Sequence, residues 1–222
     1  MELVEHKKLR AKKILFLLKK NYGFVPNLFL NYSTDAQMLV AIILSAQSTD
    51  NQINKVTKKL FKKYKTVNDF ANAKKQVFEK EIYSTGFYKQ KAKNIISCFL
   101  IIKSKFNSKI PLNMSDLISL PGVGRKTANL ILLNKGIVEG IAVDTHVFRL
   151  SRRFGLSKSK NANDVEKDLK KIYKKIDWPN INKLFITHGR NLCTAINPKC
   201  DNCFLNKKFD NNSNICLKIF KK

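Results

Sequence analysis

Leu120-Pro121-Gly122-Val123-Gly124-Arg125-Lys126-Thr127-Ala128, followed by Val143-Asp144-Thr145-His146, is the stretch from which the rest of the chain can be read. A short helix former runs from Ser115 to Leu120, and an apolar helix is expected from Thr127 to Leu133, so the middle is a tight turn between two helices. Pro121 ends the first helix, because its ring removes an N–H and fixes φ. Gly122 and Gly124 are expected to take backbone angles closed to residues with a Cβ. Their bareness also lets a phosphate approach the backbone N–H groups, where the next helix adds its positive dipole end. Lys126 falls just inside that helix. There the dipole, Arg125 and partial burial would together disfavour the ammonium form and leave a neutral nucleophile. Asp144 opens another expected helix and is placed to supply acid–base and electrostatic help.

The chain of 222 residues is long enough for one large or two small domains with a buried core. Its 44% hydrophobic content excludes a disordered polymer. Forty-three basic residues against 16 acidic ones leave a net charge of +27, which favours a polyanionic partner, most simply nucleic acid. No stretch reaches the roughly 18 uninterrupted apolar residues of a membrane span. The basic N-terminus leads into Ile14-Leu15-Phe16-Leu17-Leu18, but Lys19-Lys20 close that run and no cleavage site follows. The expectation is a soluble intracellular protein with no membrane partner.

Helices account for most of the remaining pattern. Glu5 to Lys20 is amphipathic, and Asp35 to Gln47 is apolar nearly all round, as a central buried helix would be. Asp50 is placed to cap a helix over Asn51 to Tyr64, with Gln47 before it as a polar residue at a helix end. Two short helices follow over Val67 to Ser84. Gly86-Phe87-Tyr88 then turns into a long helix over Lys89 to Phe106, on whose apolar face Cys98 reads as a core thiol. Further helices are expected after Asp144, over Asp164 to Ile176 and over Asn180 to Thr194, the last two separated by Trp178-Pro179. Strand-period alternation and internal repeats are absent, so the expected fold class is all-α.

Four of the five cysteines stand at Cys193, Cys200, Cys203 and Cys216, spaced C-x6-C-x2-C-x12-C. Thiols gathered this way in an intracellular chain point to a metal or cluster site more than to disulfides. Spacing alone leaves zinc and an iron–sulfur cluster both open.

LPGVGRKTA with VDTH, together with the C-terminal cysteines, Leu44-Ser45-Ala46-Gln47-Ser48-Thr49-Asp50 and Gly86-Phe87-Tyr88, resembles the endonuclease III family of helix–hairpin–helix DNA glycosylases over nearly the whole chain. The resemblance implies two helical lobes. A six-helix lobe over 27–136 would bear the hairpin, and a discontinuous lobe over 1–26 plus 137–222 would hold a 4Fe–4S cluster. It further implies a base excision repair enzyme that is both a DNA N-glycosylase for oxidised pyrimidines and an AP lyase. Lys126 and Asp144 would be catalytic, and Cys193, Cys200, Cys203 and Cys216 would ligate the cluster. Gly122, Val123, Gly124, Arg125, Gln47 and Phe87 would contact double-stranded DNA at a damaged base or abasic site. A monomer is expected. Two departures stand out: phenylalanine at 87 where the family usually carries leucine, and a longer final cysteine interval. A helix–hairpin–helix alone also serves non-catalytic DNA-binding modules, and a monofunctional glycosylase would use Asp144 without the lysine.

Overall fold

The computed structural model describes residues 4–27, 29–206, 208–210 and 213–214. In chain order the helices are α1 (Val4–Tyr22), α2 (Asp35–Leu44), α3 (Asp50–Lys63), α4 (Val67–Ala71), α5 (Lys75–Glu81), α6 (Tyr88–Lys105), α7 (Met114–Ser119), α8 (Arg125–Asn134), α9 (Thr145–Arg153), α10 (Ala162–Ile172) and α11 (Trp178–Asn191). The all-helical expectation stands with one amendment near the C-terminus. There β1 (Lys208–Asp210) and β2 (Ser213–Asn214) form a small antiparallel ribbon, pairing Lys208 with Asn214 and Asp210 with Ser213. No helix among the described residues is long and apolar enough to cross a membrane. The chain divides into two compact units, Leu28–Ile137 and a unit made of Met1–Asn27 with Val138–Lys222.

Within Leu28–Ile137, α2 is the axis. Every residue from Ala36 to Leu44 is buried, because α3, α6 and α8 all pack against it. Thr34 starts it by accepting a hydrogen bond from the Gln37 N–H. The helix stops at Leu44, three residues before the expected end, and Gln47 lies beyond it in a left-handed conformation with φ +55°. The next helix is capped by Thr49, whose hydroxyl accepts from the Gln52 N–H, and Asp50 is its first residue. The carboxylate therefore faces the positive end of the dipole instead of closing the cap. An aromatic cluster fills the space between α4, α5 and α6. Phe70 lies 4.8 Å from Phe99 and stacks on Tyr64 at 5.5 Å between centroids. Cys98 is fully buried beside it, and burial pushes its thiol up to about 12, as suits a core residue.

In the other unit, α1 buries Ala11, Ile14, Leu15 and Leu18 and packs on α10 and α11. α9 and α11 approach so closely at Gly189 that an added Cβ would stand 2.6 Å from His146 Nδ1 and 2.9 Å from Arg149 Nη2. Phe154 meets Phe185 edge-on at 5.6 Å between centroids. Trp178-Pro179 opens α11, where the sequence reading takes it for a separator. A proline in the first turn lacks only an N–H that would have had no helical partner.

Candidate active site and cluster loop

The turn between α7 and α8 is held from inside. Leu120 and Val123 are buried, and the Val123 N–H donates to the Leu120 carbonyl at 3.1 Å. Val123 can therefore meet a ligand only through its backbone. Gly122 has φ +81°, and a Cβ there would lie 3.0 Å from Asn94 Cβ on α6, so both backbone and packing require glycine. Gly124 differs from expectation. It caps α8 in an extended conformation open to any residue, and an added Cβ would meet nothing within 4 Å. The fold does not ask for glycine at 124, and the bare backbone lies open to approach. Arg125 and Lys126 are the first two residues of α8, and both are exposed. The partial burial expected of Lys126 is thus not found. A Gly122→Ala variant is expected to lose about 1–3 kcal/mol from the left-handed backbone alone, read as a lower urea midpoint.

Asp144 is the N-cap of α9. Its Oδ1 accepts the Val147 N–H at 2.8 Å, and the side chain is half-buried. A carboxylate is well suited to that position by hydrogen bonding and by the helix dipole. The approach to it is fixed on both sides. Ile141, Ala142 and Val143 are buried, the Ile141 N–H donates to Glu166 Oε1 at 3.2 Å, and Asn182 Nδ2 donates to the Ala142 carbonyl at 2.7 Å.

Gln47 and Phe87 share an unusual state. Both are exposed, and both are non-glycine residues with positive φ, +55° and +48°. Each such residue costs on the order of 1–3 kcal/mol and persists only where its surroundings over-determine it. The surroundings here join the two turns. Ser48 Oγ donates to the Thr85 carbonyl, and Gln52 Nε2 donates to Ser84 Oγ at 2.8 Å. A residue that sequence reading missed, Lys91, is buried between them. The available signal was its place on the apolar face of α6, in line with Ile95, Cys98, Phe99 and Ile102.

The cysteine loop follows α11. Arg153 Nη1 donates to Cys193 Sγ at 3.2 Å and to the Thr194 carbonyl at 2.6 Å, and Arg149 Nη2 donates to the Cys193 carbonyl at 3.0 Å. Cys203 Sγ lies 3.6 Å from Nε2 of the fully buried His188, whose Nδ1 is 2.9 Å from the Tyr22 hydroxyl. Burial pushes His188 down to about 4, so the ring is neutral, with Nε2 facing the sulfur and Nδ1 facing the Tyr22 hydroxyl. Burial, and with it the nearby Cys193 and Cys200 thiols, pushes the Cys203 thiol up. Cys193, Cys200 and Cys203 are all free thiols, and Cys216 lies outside the described residues. Among the described residues no three His, Cys, Asp or Glu side chains gather around a single ion. The donor set nevertheless fits an iron–sulfur cluster, with three free thiols in one loop, the Arg153 guanidinium donating to the Cys193 sulfur and the His188 ring beside the Cys203 sulfur.

The turn and the cysteine loop downstream of it both fall within matches to DNA repair protein families. Residues 40–175 match the HhH-GPD superfamily base excision DNA repair protein family, and residues 193–207 match the iron–sulfur binding domain of endonuclease III. The chain is 46% identical to the endonuclease III of Synechocystis sp. over 90% of its own length and 91% of that protein's, and 39% identical to that of Bacillus subtilis over 88% and 90%. It is similar to a solved trapped endonuclease III–DNA covalent intermediate, with a TM-score of 0.86 and 36% identity over 92% of this chain and 94% of that one. It shares the fold alone with a thermostable thymine-DNA glycosylase, at a TM-score of 0.77 and 21% identity over 91% of this chain and 95% of that one. The chain belongs to the endonuclease III family. It is a base excision repair DNA glycosylase with a 4Fe–4S cluster, in a family for which AP lyase activity is typical.

Proposed function

We propose that the enzyme excises oxidised pyrimidines from double-stranded DNA and then cuts the strand 3′ to the abasic site, with Lys126 as nucleophile and Asp144 as its partner. The damaged nucleotide leaves the stack at a cost of a few kcal/mol. Lys126 Nζ, deprotonated, bonds to C1′ of the deoxyribose as the bond from C1′ to the base breaks and the base departs with a proton. The C1′–O4′ bond of the resulting aminal then breaks as the nitrogen lone pair forms C1′=N and O4′ takes up a proton, and the ring-opened iminium acidifies the C2′ proton. Its removal sends the electron pair toward C3′ and expels the 3′ phosphate by β-elimination. Asp144 takes the ammonium proton and stabilises the positive charge growing on the sugar. Because Lys126 is exposed, the dry environment its amine needs comes from the DNA that covers it.

The observation that carries this reading is the exposed amine at the second position of α8, directly after a turn whose Gly124 the fold does not require. The backbone of Gly122, Val123 and Gly124, with Arg125, lies against the phosphates, and the Val123 N–H closes the turn that presents the two glycines. Gln47 fills the gap left by the extruded nucleotide and Phe87 wedges beside it. Two strained, exposed turns are what such insertions would need. Phenylalanine adds a face that can stack on the opposite base. The lobe over 27–136 supplies the nucleophile and wedges, and the lobe over 1–26 plus 137–222 supplies Asp144 and the cluster. Cys193, Cys200 and Cys203, with Cys216, hold the cluster, which when bound fixes a basic loop including Lys199 against DNA phosphates. The protein works as an intracellular, nucleoid-associated monomer.

Borohydride with an oxidised-pyrimidine duplex tests the reading. Covalent trapping is expected. Base release without trapping would mean a monofunctional glycosylase, and binding alone would mean a DNA-binding module.

A further inference from the structure

Lys91 is the most deeply placed ammonium of the Leu28–Ile137 unit, only 6% exposed. Its Nζ donates to three oxygens: the Leu44 carbonyl at 2.7 Å, the Thr85 carbonyl at 2.6 Å and Ser48 Oγ at 3.1 Å. An ammonium has three N–H bonds, and here each has one acceptor. Leu44 is the last residue of α2, whose terminal carbonyls have no partner within the helix and carry the negative end of its dipole. The Lys91 N–H also donates to the Phe87 carbonyl at 3.0 Å, starting α6 from the second turn. One residue therefore ties the point where α2 ends, three residues before Gln47, to the point two residues before Phe87.

Burial pushes Lys91 down to about 8, because removal from water disfavours the ammonium, and the three acceptors offset part of that cost. No carboxylate accompanies it in these contacts. An apolar residue of similar length would pack α6 on α2 without that penalty. What an apolar residue lacks is three fixed directions of donation, and those directions are used on the two turns that hold positive-φ residues.

We propose that Lys91 is a positioning residue for duplex opening, a three-way staple that sets the spacing and presentation of Gln47 and Phe87. The inference rests on the reading that these two residues enter the duplex. Lys91 takes no part in bond making, since its amine is enclosed. Its contribution is confined to substrates whose base must still be unstacked, where two wedges have to enter together.

The experiment compares one abasic strand in two settings, fully paired and inside an unpaired bubble, with cleavage followed in both. A 2-aminopurine opposite the site reports unstacking on binding. In Lys91→Met, cleavage of the paired substrate is expected to fall roughly tenfold to a hundredfold, the loss typical of a misplaced group, and the 2-aminopurine signal to fall with it. Bubble cleavage should be unchanged. Ser48→Ala removes one acceptor, leaves the core intact and should show the same effect in milder form. It decides the matter alone if Lys91→Met does not fold. Equal loss on both substrates, or no loss on either, would overturn the staple. Gln47→Ala and Phe87→Ala are run alongside. If neither lowers the 2-aminopurine signal, the wedge reading fails. If they lower it while Lys91→Met does not, only the staple fails.

Discussion

Lys126→Ala is expected to abolish covalent trapping by borohydride and to lower base release and strand cleavage by roughly a thousandfold or more, the scale seen when a catalytic unit loses a member. The fold should not notice. Lys126 is exposed in the first turn of α8, where alanine is the better helix former. Among the described residues it makes no hydrogen bond or ion pair that would be lost. Binding should also survive. If the amine touches a phosphate, its removal lowers the salt slope by about 0.9, one contact among the many a chain of net charge +27 can make. The informative comparison is therefore trapping against affinity in the same preparation. Retained trapping would show that another amine forms the imine, and the assignment of Lys126 would be wrong. Lys91 is not a candidate for that rescue, since its Nζ is enclosed by three oxygens.

Asp144→Asn separates charge from structure. Asparagine caps helices about as well as aspartate, so the bond to the Val147 N–H at the start of α9 is retained. Loss of the charge–dipole attraction costs about 0.3–1 kcal/mol, a small change in melting temperature. The proton acceptor and the negative charge beside the sugar are both gone. Turnover is expected to fall by about 10²–10⁴-fold, the usual weight of a general base. Asp144→Ala should lose that activity and also about 1 kcal/mol of capping, near 2–4 °C for a chain of this size. Wild-type turnover in the asparagine variant would end the claim that the carboxylate takes part in chemistry. Reduced turnover in alanine alone would make Asp144 a cap and nothing more.

The contrast between these residues and Lys91 shows what the sequence could reveal. α2 was legible because the seven residues from Met38 to Leu44 are all apolar and leave no polar face, and all of Ala36 to Leu44 are buried. The hairpin was legible because Pro121 ends a helix and Gly122 takes the left-handed angle of the turn, although Gly124, expected to need the same freedom, does not use it. The conformations of Gln47 and Phe87 were hidden, since neither residue type favours positive φ and only the joined turns hold them there. At Thr49 and Asp50 two good caps adjoin, and which one closes the helix depends on a single backbone rotation. Lys91 was masked by composition. In a chain with 43 lysines and arginines one more lysine draws no notice, although its neighbours on the helix face are all apolar.

The way α1 is used has a consequence for synthesis on the ribosome. Its apolar stripe of Ala11, Ile14, Leu15 and Leu18 rests on α10 and α11, which lie at the far end of the polypeptide. At about 5–20 residues per second, the first helix emerges on the order of ten seconds or more before its partners exist. In that interval Leu28–Ile137 is already complete and free to fold. The nascent N-terminal segment must wait with its greasy side uncovered, which makes it the part of the chain for which holding chaperones would compete.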